Sequence, residues 1–526
     1  MKRLLLYILL LGVIASCSEN PVNEAEKVTF EYQDIPLSEK IKKATESDYL
    51  KNLGFTEKDI SLVSEYYKQH EFKTLWINDS TLNKQGKSIK KLMVNPVSIG
   101  LPKNRSALKE SFNFIQDELV ITLALCQSLY DLKHGYLDLE EKKYLERKNI
   151  TLDSMQYLNS FAETDELIKA FVAFGPEDTA YVSLANGLRE FTDQYPMDTC
   201  TFEVMSIKKD SVEAPIRAAK ALVSKGYLKE FSVDTSLLNP ALRTFQAHNG
   251  LKPDAVIGKF TSKCLNESTE AKVYRILLSM EKIRTHEPYP KKFIHINIPE
   301  YMLRFYEDYT LRSEHNIVTG TYENQTPELT SKLRKIVVYP YWNVPYSISS
   351  KEILPAVKNN PNYLAKHNYR IYKDGVEVDP SSVNWKRIKQ NAFPFKVVQD
   401  PGPYNSLGIL KFDFYNEHSV YFHDTPSKGL FGADVRSYSH GCMRTQYPLD
   451  LAKKILEYDY IPYKRNEMLP DSLDSILARE ENFEIKLINK IPIYIEYRTV
   501  VSKNQQMIVY HDVYGRDEEY LKILMD

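Results

Sequence analysis

Apolar positions along the chain follow two different periods. From about residue 36 to 205 they recur every three to four residues. Leu125, Leu129 and Leu132 stand at i, i+4 and i+7 before Gly135, and Leu167, Phe171 and Phe174 repeat the spacing before Gly175-Pro176. Such spacing gathers the apolar side chains on one face of an α-helix, and glycine or proline stops it. The pattern predicts a helical scaffold over 36–205, in which no acids, histidines or cysteines converge. A smaller helical module follows over 207–268. Ile216–Val223 forms an amphipathic run ending at Gly226, Leu242–Gln246 a second run stopped by Asn249-Gly250, and a third short helix starts at Thr261.

From Phe293 the period falls to two, and β-branched and aromatic residues take over. Phe293–Ile298, Lys335–Tyr339, Gly408–Phe414 and Ser419–His423 read as strands of a domain spanning 290–526. The segment 351–393 interrupts them. It is polar and turn-rich, with Asn359-Asn360-Pro361-Asn362 and Lys373-Asp374-Gly375, and is expected to supply no core strand. A helical stretch at 448–480 precedes a last strand pair, Ile491–Val501 and Met507–Val513, so 484–526 reads as C-terminal strands of the same domain. The fold class is multidomain α+β: a helical scaffold, a small three-helix module and a β-rich domain with a capping insertion.

The first residues bear on compartment. Lys2 and Arg3 precede an apolar run from Leu4 to Ala15, followed by Ser16-Cys17. That run is too short for a spanning helix, which needs roughly 20 residues, but it fits the apolar core of a secretory signal. Val13-Ile14-Ala15-Ser16-Cys17 resembles a bacterial lipobox, whose cysteine is lipidated and becomes the new N-terminus. The reading is a signal peptide at 1–17, a lipid on Cys17, a polar tether at 18–35 and a periplasmic lipoprotein of the cell envelope, the membrane that receives the anchor being left open. A plain signal peptide with an incidental cysteine is the alternative.

Composition narrows the partners. The 526 residues carry 69 basic and 70 acidic side chains, a net charge of -1. That balance gives no electrostatic reason to bind nucleic acid. Five cysteines in this length exclude a disulfide scaffold, and Cys126, Cys200 and Cys264 read as free buried thiols.

Candidate chemistry concentrates in His423-Asp424-Thr425-Pro426 and Ser439-His440-Gly441-Cys442-Met443-Arg444. A thiol attacks only as thiolate, so it needs a base for its proton and later an acid for the leaving group. His423 at a strand end and Cys442 after a glycine suit those roles in one cleft. Gly441 allows close backbone approach, and the amides around Gly441 and Cys442 can form an oxyanion hole. The competing readings are a structural Cys442, a His423 that merely ends a strand, and zinc on His423, His440 and Cys442 with Asp424 as the near carboxylate. The thiol–imidazole reading calls for no metal and no cofactor.

These residues resemble the signature of the L,D-transpeptidase catalytic domain, the YkuD fold. Tyr341-Trp342-Asn343-Val344-Pro345, Gln399–Pro403 with Asn405 and Leu407-Gly408, Asn297-Ile298-Pro299, Thr326-Pro327 and Asp512–Asp517 are similar to its large, YcbB-like branch. In the module, Phe245-Gln246, Gly250-Leu251, Asp254 and Gly258 resemble a peptidoglycan-binding unit, with Ala255 where the family usually has glycine. The resemblance implies that Cys442 attacks the third residue of a tetrapeptide stem, expels D-alanine, and passes the acyl group to a neighbouring stem's side-chain amine as a 3→3 cross-link. It implies His423 as proton acceptor and donor, His440 in an orienting or oxyanion role, and Arg444, Ser439, Tyr421, Trp342 and Asn405 facing substrate. Arg444 holds a substrate carboxylate or a structural salt bridge; Asp424 stabilises a turn. The partners implied are peptidoglycan stem peptides and, through the anchor, a membrane, with protein partners unidentified. An L,D-carboxypeptidase or hydrolase using the same acyl-enzyme, and a non-catalytic wall-tethering lipoprotein, are the other readings.

Overall fold

The computed structural model describes residues 33–105, 108, 111–148, 164–459, 470–503 and 506–525; Cys17, the signal segment and most of the tether lie outside them. Among the described residues no helix is long and apolar enough to cross a membrane.

The N-terminal helices pack around Phe114–His134, whose side chains are buried along most of its length, Leu125, Leu129 and Leu132 included. Two of the neighbouring helices start at residues that satisfy free backbone N–H groups: Thr56 and Asp59 form a reciprocal capping box at Glu57–Gln69, and Asp178 accepts from Ala180 and Tyr181 at Thr179–Gln194. Two hairpins with two-residue strands, Ile77–Asn78 with Thr81–Leu82 and Leu137–Asp138 with Lys143–Tyr144, also lie in this region. They are too short to leave a period in the sequence.

The helical core draws on distant chain. The helix Thr269–Arg284 contributes Val273, Ile276, Leu277 and Met280, and the C-terminus contributes Val500, Met507, Val509, Tyr520 and Leu524. This corrects the assignment of 484–526 to strands of the β-rich domain. Only Phe483–Glu496 joins the large sheet; Val500–Lys503 and Gln506–Val509 form a separate hairpin, and Glu518–Met525 is a helix. The alternation of Ile491, Ile493 and Ile495 ends at Tyr497, after which Val500, Met507, Val509, Tyr520 and Leu524 turn to the scaffold while Val513 and Tyr514 stay with the barrel core. Arg275 and Lys282 then hold the buried Asp517 by ion pairs of 3.6 and 3.2 Å.

The module consists of Glu213–Ser224, Thr235–His248 and Lys259–Asn266 around Leu222, Leu242, Phe245 and Leu265. Gln246, almost fully buried, donates to Asp254 Oδ1 and the Val256 carbonyl and accepts from Ala255 N–H at 2.8 Å. Ala255 has φ 64°, a left-handed conformation that costs a residue with a Cβ about 1–2 kcal/mol. A glycine would adopt it freely.

The β-rich domain is a nine-stranded sheet of β1 (Phe293–Asn297), β2 (Met302–Glu307), β3 (Thr310–Gly320), β4 (Leu329–Val338), β5 (Leu410–Phe414), β6 (Phe422–His423), β7 (Ser437–Ser439), β8 (Met443–Thr445) and β9 (Phe483–Glu496). Its order is β7-β3-β8-β6-β5-β4-β9-β1-β2, and a further β2–β3 pairing closes it into a barrel. The pairs β6–β8, β7–β3 and β9–β1 are parallel and the rest antiparallel. Closure removes exposed edges. Ile294, Leu303, Ile336, Phe412, Phe422 and Met443 fill the interior, and the helices Pro448–Asp459 and Pro470–Leu477 cover it.

The segment between β4 and β5 is a unit with its own core. Its four-stranded sheet runs Val376–Val378, Tyr369–Lys373, Lys396–Gln399, Trp342–Asn343, and Val344, Ile348 and Val397 share a cluster with Leu354, Val357, Ile371, Trp385 and Phe393. The cap therefore extends past 351–393 on both sides. It adds no strand to the barrel, yet it does form a sheet of its own; strands of two to five residues with mixed polarity hide that in the sequence. Cys126 and Cys264 are buried, but Cys200 is exposed, contrary to its reading as a buried thiol.

Candidate active site

The site is built on the outer face of the barrel, beneath the cap. In β5, Leu410, Phe412 and Phe414 face the core, so Lys411 faces outward. Lys411 pairs with His423 across β5–β6, and His423 pairs with Arg444 across β6–β8. The three therefore stand side by side on one face. Cys442 precedes β8 and lines a cleft of about 600 Å³ with them, together with Trp342 and Glu352 from the cap.

His423 is buried, and its Nδ1–H donates to the Asp424 carbonyl at 2.5 Å. That bond fixes the tautomer, leaving Nε2 as a proton acceptor. Burial pushes its pKa down to about 3, aided by the charges of Arg444 and Lys411 against the pull of the Asp424 and Leu407 carbonyls. Burial also raises the Cys442 thiol above its ordinary value, while the backbone N–H and phenol of Tyr421 and the charges of Lys411 and Arg444 favour the thiolate. Both shifts favour the neutral forms, a thiol and an imidazole.

Tyr421 is placed at the thiol itself. Its ring stands edge-on to His423 at 5.6 Å, Lys411 Nζ lies 4.1 Å from its centroid, and burial followed by Cys442 pushes its phenol well up. The sequence signal is its position two residues before His423, which puts both on one strand face.

Several candidate residues sit elsewhere than expected. Asn405 is buried and lies outside the cleft; its amide donates to the Pro340 and Asp400 carbonyls at 3.2 and 2.9 Å and accepts from Leu407 N–H at 2.8 Å, so it braces the 399–408 loop instead of facing substrate. Ser439 is also spent within its turn. Its hydroxyl donates to the Cys442 carbonyl and accepts from Gly441 N–H at 3.2 Å. That contact takes the Gly441 amide out of the oxyanion reading. His440 is half-exposed, and its Nε2 pairs with Glu352 Oε1 at 2.6 Å, so it reaches the cap rather than orienting the Cys442–His423 pair.

Arg444 has no acidic partner among the described residues, which removes the structural salt bridge and leaves a guanidinium on the cleft wall, its pKa lowered by burial. Asp424 is structural: its carboxylate accepts from Ile409 N–H at 3.0 Å and from Lys428, and a Cβ on Gly408, at φ 61°, would meet it at 2.3 Å. Among the described residues no three His, Cys, Asp or Glu side chains converge as a metal set.

This fold and site define a cysteine-centred β-barrel domain carried on a helical scaffold. Residues 291–464 match the family model described as the L,D-transpeptidase catalytic domain, YkuD, and residues 61–188 match that of a scaffold domain. The chain therefore carries a YkuD-family L,D-transpeptidase catalytic domain together with a scaffold domain. A Haemophilus influenzae protein named "Putative L,D-transpeptidase" is 34% identical over 228 residues, which is 43% of this chain and 45% of that protein. The chain thus spans less than half the length of this relative. Crystal structures of L,D-transpeptidases from Xylanimonas cellulosilytica and Stackebrandtia nassauensis share 12% identity, each aligned over 58% of this chain and 98% of theirs, at TM-scores of 0.16 and 0.19.

A thiol whose pKa is raised has a thiolate fraction that grows tenfold per pH unit below that pKa. Alkylation of Cys442 by iodoacetamide, read by mass spectrometry of its peptide, is expected to rise with unit logarithmic slope from pH 6 to 8. A flat rate over that range would show a preformed thiolate–imidazolium pair and contradict the neutral site.

Proposed function

We propose that the protein is an L,D-transpeptidase that forms 3→3 peptidoglycan cross-links through an acyl-enzyme on Cys442. The observation that carries this reading is the placement of Cys442, the Nε2 acceptor of His423 and the unpaired Arg444 in one cleft under a cap. His423 Nε2 takes the thiol proton as Sγ bonds to the donor carbonyl. The amide bond to the terminal D-alanine breaks, and the imidazolium returns the proton to the departing amine. A bare imidazolium is disfavoured here by burial, so proton transfer proceeds together with carbon–sulfur bond formation, when the charge is created opposite a developing oxyanion. Arg444 holds a donor carboxylate as a bidentate pair.

The acceptor, the side-chain amine of a neighbouring stem, repeats the sequence in reverse: His423 removes its proton, the amine attacks the thioester, and Cys442 leaves. Water would give hydrolysis instead. The cap, tied to the catalytic turn by Glu352–His440, covers the acyl group and favours the amine. A lipid on Cys17 would hold the enzyme at its substrate in the envelope.

Purified donor tetrapeptide muropeptide, analysed by mass after incubation, tests the reaction. Wild type is expected to give cross-linked dimers, Cys442→Ala none, and His423→Ala a rate lower by about 10² to 10⁴. Tripeptide monomers without dimers would make the enzyme a carboxypeptidase, and turnover by a folded Cys442→Ala variant would sink the proposal. The same assay on Glu352→Gln reads the cap: its ratio of dimer to tripeptide is expected to fall, and an unchanged ratio removes that role. For the anchor, wild type should enter the detergent phase on Triton X-114 partitioning and Cys17→Ser the aqueous phase; identical behaviour would leave only a plain signal peptide.

A further inference from the structure

An oxyanion donor must be aimed at a point in space, and an N–H on a flexible turn is not. The Gly441 N–H is turned inward to Ser439 Oγ, which leaves the next amide, that of Cys442. No acceptor is bonded to the Cys442 N–H among the described residues. Its direction is set from the other side of the same peptide plane. The carbonyl of Gly441 accepts a hydrogen bond of 2.8 Å from Thr326 Oγ1. In a planar trans peptide the carbonyl and the N–H point opposite ways, so a carbonyl pinned inward turns the Cys442 N–H outward.

The pin is itself built. Thr326 is fully buried, and its hydroxyl accepts from Gly320 N–H at 2.9 Å, which commits its own proton to the Gly441 carbonyl. Thr326 N–H donates to the phenol oxygen of Tyr514 at 3.1 Å, and that phenol donates to the Gly320 carbonyl at 2.9 Å. Thr326 and Tyr514 thus satisfy both backbone groups of Gly320. Tyr514 comes from the C-terminal segment, where its N–H donates to Tyr497 Oη at 2.9 Å. Arg516 fastens the same loop from outside, reaching Gln325 Oε1 at 2.8 Å and the Thr326 carbonyl at 3.1 Å. Gly441 itself has φ 108°, and a Cβ there would meet the Gln325 carbonyl at 3.4 Å, so the turn is held close against this loop.

The geometry points to Thr326, backed by Tyr514, as the positioning residue that holds the Gly441–Cys442 peptide with its N–H aimed at the oxyanion. This rests on the acyl-enzyme proposed above, and it assigns to that reaction a residue 116 positions from the nucleophile together with a tyrosine from the end of the chain.

Two reagents separate this role from a general effect on the thiol. Acylation of Cys442 by a carbapenem passes through a tetrahedral oxyanion; alkylation by iodoacetamide is a direct displacement at carbon and forms none. Thr326→Val keeps the shape and removes the hydroxyl. Its acylation rate is expected to fall by about tenfold to a hundredfold, with alkylation within about twofold of wild type and Thr326→Ser restoring acylation. Should Thr326→Val lose its circular dichroism spectrum, Tyr514→Phe carries the test and must slow acylation without slowing alkylation. Unchanged acylation, or acylation and alkylation falling together, overturns the proposal. Failure of the acyl-enzyme reading looks different: wild type itself would then give no carbapenem adduct on Cys442 while still being alkylated, and the positioning role would fall with it.

Discussion

Two rungs of parallel pairing, Phe422 with Met443 and His423 with Arg444, place the chemistry of this protein. β6 is only two residues long, so its register rests on the side chains around it. Phe422 stacks on Phe412 at 4.8 Å and lies in the barrel core beside Met443. A slip by one residue would exchange Phe422 for His423, turning the ring of one to the outer face and the imidazole of the other into the barrel core. The burial of Phe412, Phe422 and Met443 is therefore what puts Lys411, His423 and Arg444 on one outer face, with Cys442 at its end. Closure of the barrel by β2 and β3 secures the same strands from the other side, since β3 continues past β2 to pair with β7 and β8 around the catalytic turn.

The electrostatics of the cleft follow from that placement. Two cations, Lys411 and Arg444, stand beside a buried histidine and a thiol with raised pKa. They disfavour imidazolium and favour thiolate, whereas burial disfavours both charges. Burial is the larger effect on each group, so the resting pair is neutral. In the proposed reaction, the neutral thiol beneath the cap would be activated when substrate brings a carbonyl to attack and a carboxylate to offset the cations.

The candidate motif stands out in the sequence because its residues are local. Cys442 and its turn are contiguous, and His423 ends an apolar alternating run. The scaffold helices were legible for the same reason, their apolar spacing surviving in Leu125, Leu129 and Leu132. What escaped reading depends on contacts between distant segments. Lys411 looks like the polar half of any alternating strand until β5 is paired with β6. Glu352 is one acid in a polar insertion until the cap folds over His440. Asn405 and Ser439 are polar residues in the right neighbourhood whose hydrogen bonds turn out to be spent on backbone. The tail beyond Tyr497 carries a strand-like composition, but most of its apolar side chains are buried by helices that lie far earlier in the chain, Thr269–Arg284 and Thr179–Gln194 among them, and period alone does not say which core an element joins.

In the proposed reaction the Sγ of Cys442 carries the acyl group. Incubating the wild-type protein with donor tetrapeptide and no acceptor, quenching in acid and mapping the digested peptides by mass spectrometry reads that bond directly. The expected result is a tripeptide acyl adduct on the peptide containing Cys442 and on no peptide containing Cys126, Cys200 or Cys264, with one D-alanine released per adduct. Release of D-alanine with no adduct at any time point, or an adduct on another residue, would contradict it.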